Sequence, residues 1–206
     1  MKRILLVVFL LLNATSNTFL MAQSADIRLL RKIQSMDSQQ TDLLFQYISD
    51  SHIYIIAATP LAMGATALLT HDDQLLEHTI ELGAATALNM GMTYLLKYSI
   101  NRDRPSATYL DIIPKSQEGS PSFPSGHTSS SFATATSLSL MYPEWYVIAP
   151  CFAWAGAVGY SRMYLGVHYP SDVAAGALLG IGSAWLSHRA NQWYRTKQKA
   201  KHGKFE

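Results

Sequence analysis

The chain has one cysteine, Cys151, and little charge: Asp, Glu, Lys and Arg make up 15% of its 206 residues, against about 25% in an average soluble domain. A single thiol excludes both a disulfide framework and a cysteine-ligated metal site. Set inside an apolar run, Cys151 reads as a small buried hydrophobe. The formal net charge of +2 is too small for a surface that binds nucleic acid. Neither an internal repeat nor a low-complexity tract is visible, so solenoid architectures drop out. Lys, Arg, Asp and Glu are absent altogether from 52–70. Apolar residues fill the space, at 49% of the chain, the balance of a membrane protein.

The length suits one domain. Residues 1–22 place Lys2 and Arg3 before an apolar run from Ile4 to Leu12. They read as a signal peptide ending at Ala22 or as an uncleaved first transmembrane helix. The body, 23–190, is expected to be a helical bundle, followed by a basic tail at 191–206. Within 24–51, Ile27, Leu30, Ile33 and Met36, then Leu43, Leu44, Tyr47 and Ile48, recur at helical spacing, with Leu29 and Phe45 broadening the face. They predict two short amphipathic helices on the membrane surface; a soluble helical hairpin is the alternative. Residues 52–70 are long enough to span, since a helix rises about 1.5 Å per residue and the apolar layer is roughly 30 Å. Pro60 and Gly64 are tolerable there. A polar link at 71–78 leads to a second span at 79–98, where Asn89 suggests an interhelical hydrogen bond.

Residues 99–123 carry Pro105, Pro114, Gly119 and Pro121 and predict a loop with at most one short helix. The Ser/Thr/Ala-rich helix 127–142 is too polar to face lipid and belongs inside the bundle. After a turn at Pro143-Glu144, 145–160 and 173–186 are further apolar helices. Ala155-Gly156 and the pair Gly176 and Gly180 point to close helix packing. Arg195, Lys197, Lys199, Lys201 and Lys204 keep the tail cytoplasmic. Counting spans back puts 161–172 and 97–127 on the outer side, although the inner link 71–78 has no Lys or Arg to support that orientation.

Three polar blocks border these helices. The last runs Ser161-Arg162 to His168 and Asp172. The residue before a proline leaves helical geometry, so His168, ahead of Pro170, is not expected to share a helix with Asp172; Asp172 is expected to cap a helix starting near Val173 and hold one ring nitrogen of His168. The other nitrogen is then a free nucleophile, the orienting logic of a catalytic triad. Arg162 suits bidentate phosphate contact; a structural partner among Asp103, Asp111 and Glu118 is the alternative. The middle block, Pro124-Ser125-Gly126-His127, opens a helix whose N–H groups favour an anion. His127 can protonate a leaving oxygen, worth about 100- to 10,000-fold in rate. In the first block Lys97 and Arg104-Pro105 flank a helix end; a snorkelling lysine is the plain alternative. Singly, each block also has an ordinary structural reading as a cap or a surface residue. Together they suggest convergence on one phosphate.

Lys97–x6–Arg104-Pro105, Pro124-Ser125-Gly126-His127 and Ser161-Arg162–x5–His168–x3–Asp172 resemble the three-part signature of the type 2 phosphatidic acid phosphatase superfamily in order, spacing and residue type. The resemblance implies an all-α membrane helical bundle, with short amphipathic N-terminal helices before it. It implies a metal-independent lipid phosphohydrolase needing no cofactor. His168 would attack phosphorus and form a phosphohistidine, Asp172 would orient it, and His127 would protonate the leaving group. Lys97, Arg104, Ser125, Gly126 and Arg162 would bind the phosphoryl oxygens. The related vanadium haloperoxidases, soluble and larger, use a similar pocket for vanadate. The expected setting is a bacterial inner membrane with the site facing the periplasm, and the expected partner is a lipid phosphate. Lipid A phosphate is favoured over undecaprenyl diphosphate, phosphatidylglycerophosphate and phosphatidic acid. A soluble periplasmic acid phosphatase and a catalytically silent lipid-binding scaffold are the competing readings.

Overall fold

The computed structural model describes residues 24–35 and 38–202, with side chains as far as 198. The reading of 1–22 falls outside the described residues. Among these, the fold is all-helical: α1 (24–34), α2 (Gln39–Thr70), α3 (Asp73–Ile100), the single turn α4 (Pro105–Thr108), α5 (Gly126–Met141), α6 (Trp145–Tyr164) and α7 (Pro170–His202). The expected basic tail continues α7 as helix up to His202.

The N-terminal region differs from expectation. Ser38 caps α2 through a reciprocal pair with Thr41, and the helix then runs unbroken through 39–51 into the apolar stretch 52–70. The second amphipathic segment is therefore the first part of a long helix. The polar link that follows shrinks to His71 and Asp72. His71 ends α2 in a left-handed conformation, and Asp72 accepts the Leu75 N–H at 3.0 Å to start α3. Helix α1 spends its apolar face on protein. Ile27 and Leu30 pack with Ile112 and Tyr169, and Ile33 with Tyr164, Leu165 and Val167. Leu29 is exposed.

Helix α5 is central, packed by α2, α3, α6 and α7. Its run of Ser, Thr and Ala buries small polar groups between helices: Ser129 Oγ accepts from Asn89 Nδ2 at 3.3 Å and lies 3.0 Å from Thr93 Oγ1. The expected bond from Asn89 is there. Closest packing is against α7, where a Cβ on Gly176 would sit 2.7 Å from Ser125 O and one on Gly180 would collide with Ser129 O. The small-xxx-small pattern thus seats the N-terminal turn of α5. Gly156 has open space around it; the close glycine on α6 is Gly159, whose Cβ would meet Val173 at 3.1 Å.

At the far end from Lys97, Glu81 anchors α3 to α7 through His188 Nδ1 at 2.6 Å and Asn191 Nδ2 at 2.5 Å. Among the described residues only α2 is both long and apolar enough to cross a membrane, and almost none of its most apolar stretch is buried. Exposed Leu61, Leu68 and Leu69 on α2, Met90 and Leu95 on α3, and Leu178 on α7 continue that apolar exterior.

Candidate active site

The three blocks meet at one end of the bundle. Lys97 comes from the last turn of α3, Arg104 from the loop after it, Ser125 and Gly126 from the start of α5, Arg162 from the end of α6, and Asp172 from the first turn of α7. Arg162 is 1% exposed. Its NH1 donates to Ser49 Oγ at 2.5 Å, its NH2 pairs with Glu118, and its Nε finds no partner among the described residues. Arg104 NH2 reaches the same carboxylate at 3.6 Å, while its Nε donates to Ser120 O at 2.8 Å and its NH1 to Val167 O at 2.9 Å. Lys97 Nζ donates to Pro121 O at 2.5 Å, and its stem lies 3.8 Å from where a Cβ on Gly126 would be. Of the three structural partners weighed for Arg162, Glu118 is the one present.

His168 sits in the turn 165–169 between α6 and α7. Gly166, at φ +71°, makes this turn in a conformation that other residues rarely adopt. Tyr169 and Pro170 then begin α7. Asp172 is therefore inside the first turn, not ahead of it as expected, and reaches back to accept the Tyr169 N–H at 3.0 Å. His168 Nδ1 is 3.6 Å from Asp172 Oδ2, too far for a direct hydrogen bond. Ser122 closes the gap: its hydroxyl donates to Asp172 Oδ2 at 2.5 Å, and its oxygen lies 3.4 Å from His168 Nδ1. Ser122 has one proton, spent on the carboxylate, so its oxygen can only accept from Nδ1–H. That tautomer leaves the lone pair on Nε2.

Burial is the main reason the His168 imidazolium is disfavoured. The nearby Asp172 charge opposes this and Arg104 and Arg162 add to it, leaving a pKa of about 4. Burial alone would raise Asp172, but His168, Ser122 and Arg102 outweigh it and hold the carboxyl below its usual range. His168 and Asp172 are thus neutral and anionic respectively at neutral pH. The acid limb of kcat/KM should lie near pH 4, where His168 gains a proton, and not near the ordinary imidazole value of about 6.5. A pH–rate profile with the limb at 6 to 7 would contradict this.

Several contributing residues lie outside the three blocks. Arg102 NH1 donates to Asp172 Oδ1 at 2.6 Å and NH2 to Asp26 Oδ2 at 2.9 Å, with the guanidinium 3.9 Å over the Tyr169 ring. Asp26, on α1, also accepts from Ser171 N at 2.9 Å and Ser171 Oγ at 2.5 Å. Helix α2 supplies Ser49 and, one turn on, His52, whose ring stacks on His127 at 3.7 Å between centroids. The alternating arginines in Asn101-Arg-Asp-Arg104 were the one visible hint; nothing local marks Asp26, Ser49 or His52. Two cavities flank the cluster. One, of about 810 Å³, is bounded by Arg104, Lys115, Glu118, Gly119 and Val167. The other, of about 260 Å³, is lined by His52, Ile56, Met90, Tyr94, Lys97 and Gly126 and lies between α2, α3 and α5.

One end of the all-helical bundle thus gathers buried cations, an imidazole and a helix N-terminus. Residues 78–196, more than half the chain, match the model of the PAP2 superfamily, and the chain belongs to that family. It is 35% identical over 86 residues to a lipid A 4'-phosphatase of Bacteroides thetaiotaomicron, covering 42% of this chain and 38% of that protein. It is also 35% identical over 130 residues to an undecaprenyl-diphosphatase of Sulfolobus acidocaldarius, covering 59% of each. The chain thus spans less than two thirds of the length of these relatives. The crystal structure of Aquifex aeolicus LpxE superposes with a TM-score of 0.69 at 26% identity, over 80% of this chain and 95% of that one.

Proposed function

We propose that the protein removes phosphate from a membrane lipid, lipid A phosphate in the first place, at the periplasmic face. The observation that carries the phosphatase mechanism is the bond chain His168 Nδ1–Ser122–Asp172, which leaves Nε2 as a lone pair beside the cation cluster. In the first step Nε2 attacks phosphorus, a P–N bond forms, and the ester oxygen leaves with a proton from His127; burial and Arg162 disfavour the His127 imidazolium in the empty site, and the bound phosphoryl dianion offsets them and stabilises the protonated ring. In the second, water attacks the phosphohistidine, His127 takes the water's proton, and inorganic phosphate and free His168 result. Lys97, Arg104 and Arg162, with the Ser125 and Gly126 end of α5, hold the phosphoryl oxygens and stabilise charge in both transition states. None of these steps uses a metal or cofactor.

The lipid part rests on the exterior and the cavities. A soluble bundle would bury its most apolar helix stretch, whereas α2 exposes it. The 260 Å³ cavity is apolar and opens between α2 and α3 beside Lys97, suited to the first part of an acyl chain. The 810 Å³ cavity has room for a saccharide headgroup. The relative named lipid A 4'-phosphatase supports that headgroup; the relative named undecaprenyl-diphosphatase makes that lipid the runner-up. The test is phosphate release from lipid A, undecaprenyl diphosphate, phosphatidylglycerophosphate and phosphatidic acid, with and without EDTA. Lipid A should be the fastest and EDTA should leave the rate unchanged. A faster alternative lipid overturns the substrate, full loss with EDTA overturns the metal-free mechanism, and release into the soluble fraction on carbonate extraction overturns the membrane setting.

A further inference from the structure

The cation cluster is already partly filled. Arg104 and Arg162 share the carboxylate of Glu118, and the next residues of the same loop continue the pattern: Ser120 O accepts from Arg104 and Pro121 O from Lys97. Residues 118–121 therefore lay one carboxylate and two carbonyl oxygens over the three cations assigned to phosphate. Glu118 is the acid that meets two of them at once, as two oxygens of a phosphoryl group would. Arg162 has a hydrogen-bond donor, Nε, left over in this arrangement although the residue is 1% exposed. A buried guanidinium with one unmatched N–H fits a tetrahedral anion with several oxygens better than the carboxylate beside it.

Glu118 is also placed to leave. Its side chain is 19% exposed, and it borders the 810 Å³ cavity together with Gly119. A Cβ at Gly119 would have nothing within 4 Å, so the chain next to Glu118 is uncrowded, although Ser120 O and Pro121 O beyond it stay bonded to Arg104 and Lys97. The carboxylate can turn into that cavity without moving a helix. Arg102, by contrast, has its own acids, Asp26 and Asp172, and takes no part in the exchange.

We propose that Glu118 is a built-in competitor for the phosphoryl site: it pairs with Arg104 and Arg162 when the site is empty, gives way to a phosphate monoester dianion, and returns to displace the inorganic phosphate product. This rests on the assignment of Lys97, Arg104 and Arg162 to phosphate. The physical consequence is a reduced apparent affinity for every phosphate ligand, since only the fraction of molecules with Glu118 turned away can bind. Repulsion between the returning carboxylate and bound phosphate speeds product release. Glu118 would thereby set the balance between substrate affinity and turnover.

The test compares the full-length protein in detergent with Glu118→Gln, which keeps shape and removes charge. Inorganic phosphate should inhibit the variant at about tenfold lower concentration. KM should fall in step, and kcat should fall with it because phosphate leaves more slowly. A loss of kcat with unchanged or weaker phosphate inhibition is what a purely structural ion pair gives, and it would overturn the proposal. A second measurement needs no substitution: hydrogen exchange in 116–121 of the unchanged protein on adding orthovanadate. Faster exchange at 117–119 supports release of Glu118; equal or slower exchange there overturns it. Inhibition by phosphate with no effect of Glu118→Gln removes this proposal alone. Lack of any response to phosphate and vanadate in the unchanged protein removes the phosphate site as well.

Discussion

Replacing His168 by alanine is expected to lower phosphate release by about 10,000-fold or more, the scale seen when a nucleophile is removed from a site that works as a unit. The side chain is buried at 1% exposure and reaches the carboxylate only through Ser122. No neighbouring side chain can take its place: His127 stands with His52, on α5 rather than in the turn 165–169. Alanine also opens a small void, so His168→Asn serves as companion, keeping most of the volume and a polar contact. Both should be equally inactive while unfolding close to the unchanged protein. Release rates like those of the unchanged protein would remove His168 from the mechanism.

The second large effect is expected at Arg102. Its guanidinium lies between Asp26 and Asp172 and covers the Tyr169 ring. It joins α1 to the first turn of α7. Arg102→Leu would leave two buried carboxylates facing each other without a cation, a loss that costs about 3–5 kcal/mol when one member of a buried pair is removed. Turnover should fall as well, since Asp172 loses the charge that helps keep it ionised. Arg102→Lys should recover part of both, because one ammonium cannot bond two carboxylates as a fork does. Thermal unfolding in detergent, followed by tryptophan fluorescence, reads the first effect, and phosphate release the second. A leucine variant that unfolds with the unchanged protein would show the clamp to be idle.

The legible parts of this chain were those written locally. Helices α5, α6 and α7 follow from apolar and small-residue runs broken by Pro143-Glu144 and by Gly166 to Pro170. The signature residues could be found because their spacing within each block is short. The missed contributors act across the chain: Arg102 bonds Asp26, 76 positions away, Arg162 bonds Ser49 from 113 away, and Ser122 bonds Asp172 from 50 away. No period or motif marks such partners, because each is a lone polar residue on a helix or loop. The unbroken α2 was hidden for another reason. Its first part is polar and its second apolar, so composition changes inside a single element. At Asp172, Pro170 does keep His168 out of the helix, but α7 opens three residues before Val173, because proline itself is its first residue.

The proposed mechanism requires Nε2 of His168 to form a covalent bond to phosphorus. Rapid quenching of the protein with 32P-labelled lipid A phosphate, followed by peptide mapping, tests that bond directly. Label is expected on the peptide containing residue 168, stable in alkali and lost in mild acid, and absent from His168→Asn. Phosphate released in the same reaction with no labelled protein at any quench time, or label resting on a serine or aspartate and surviving acid, would contradict it.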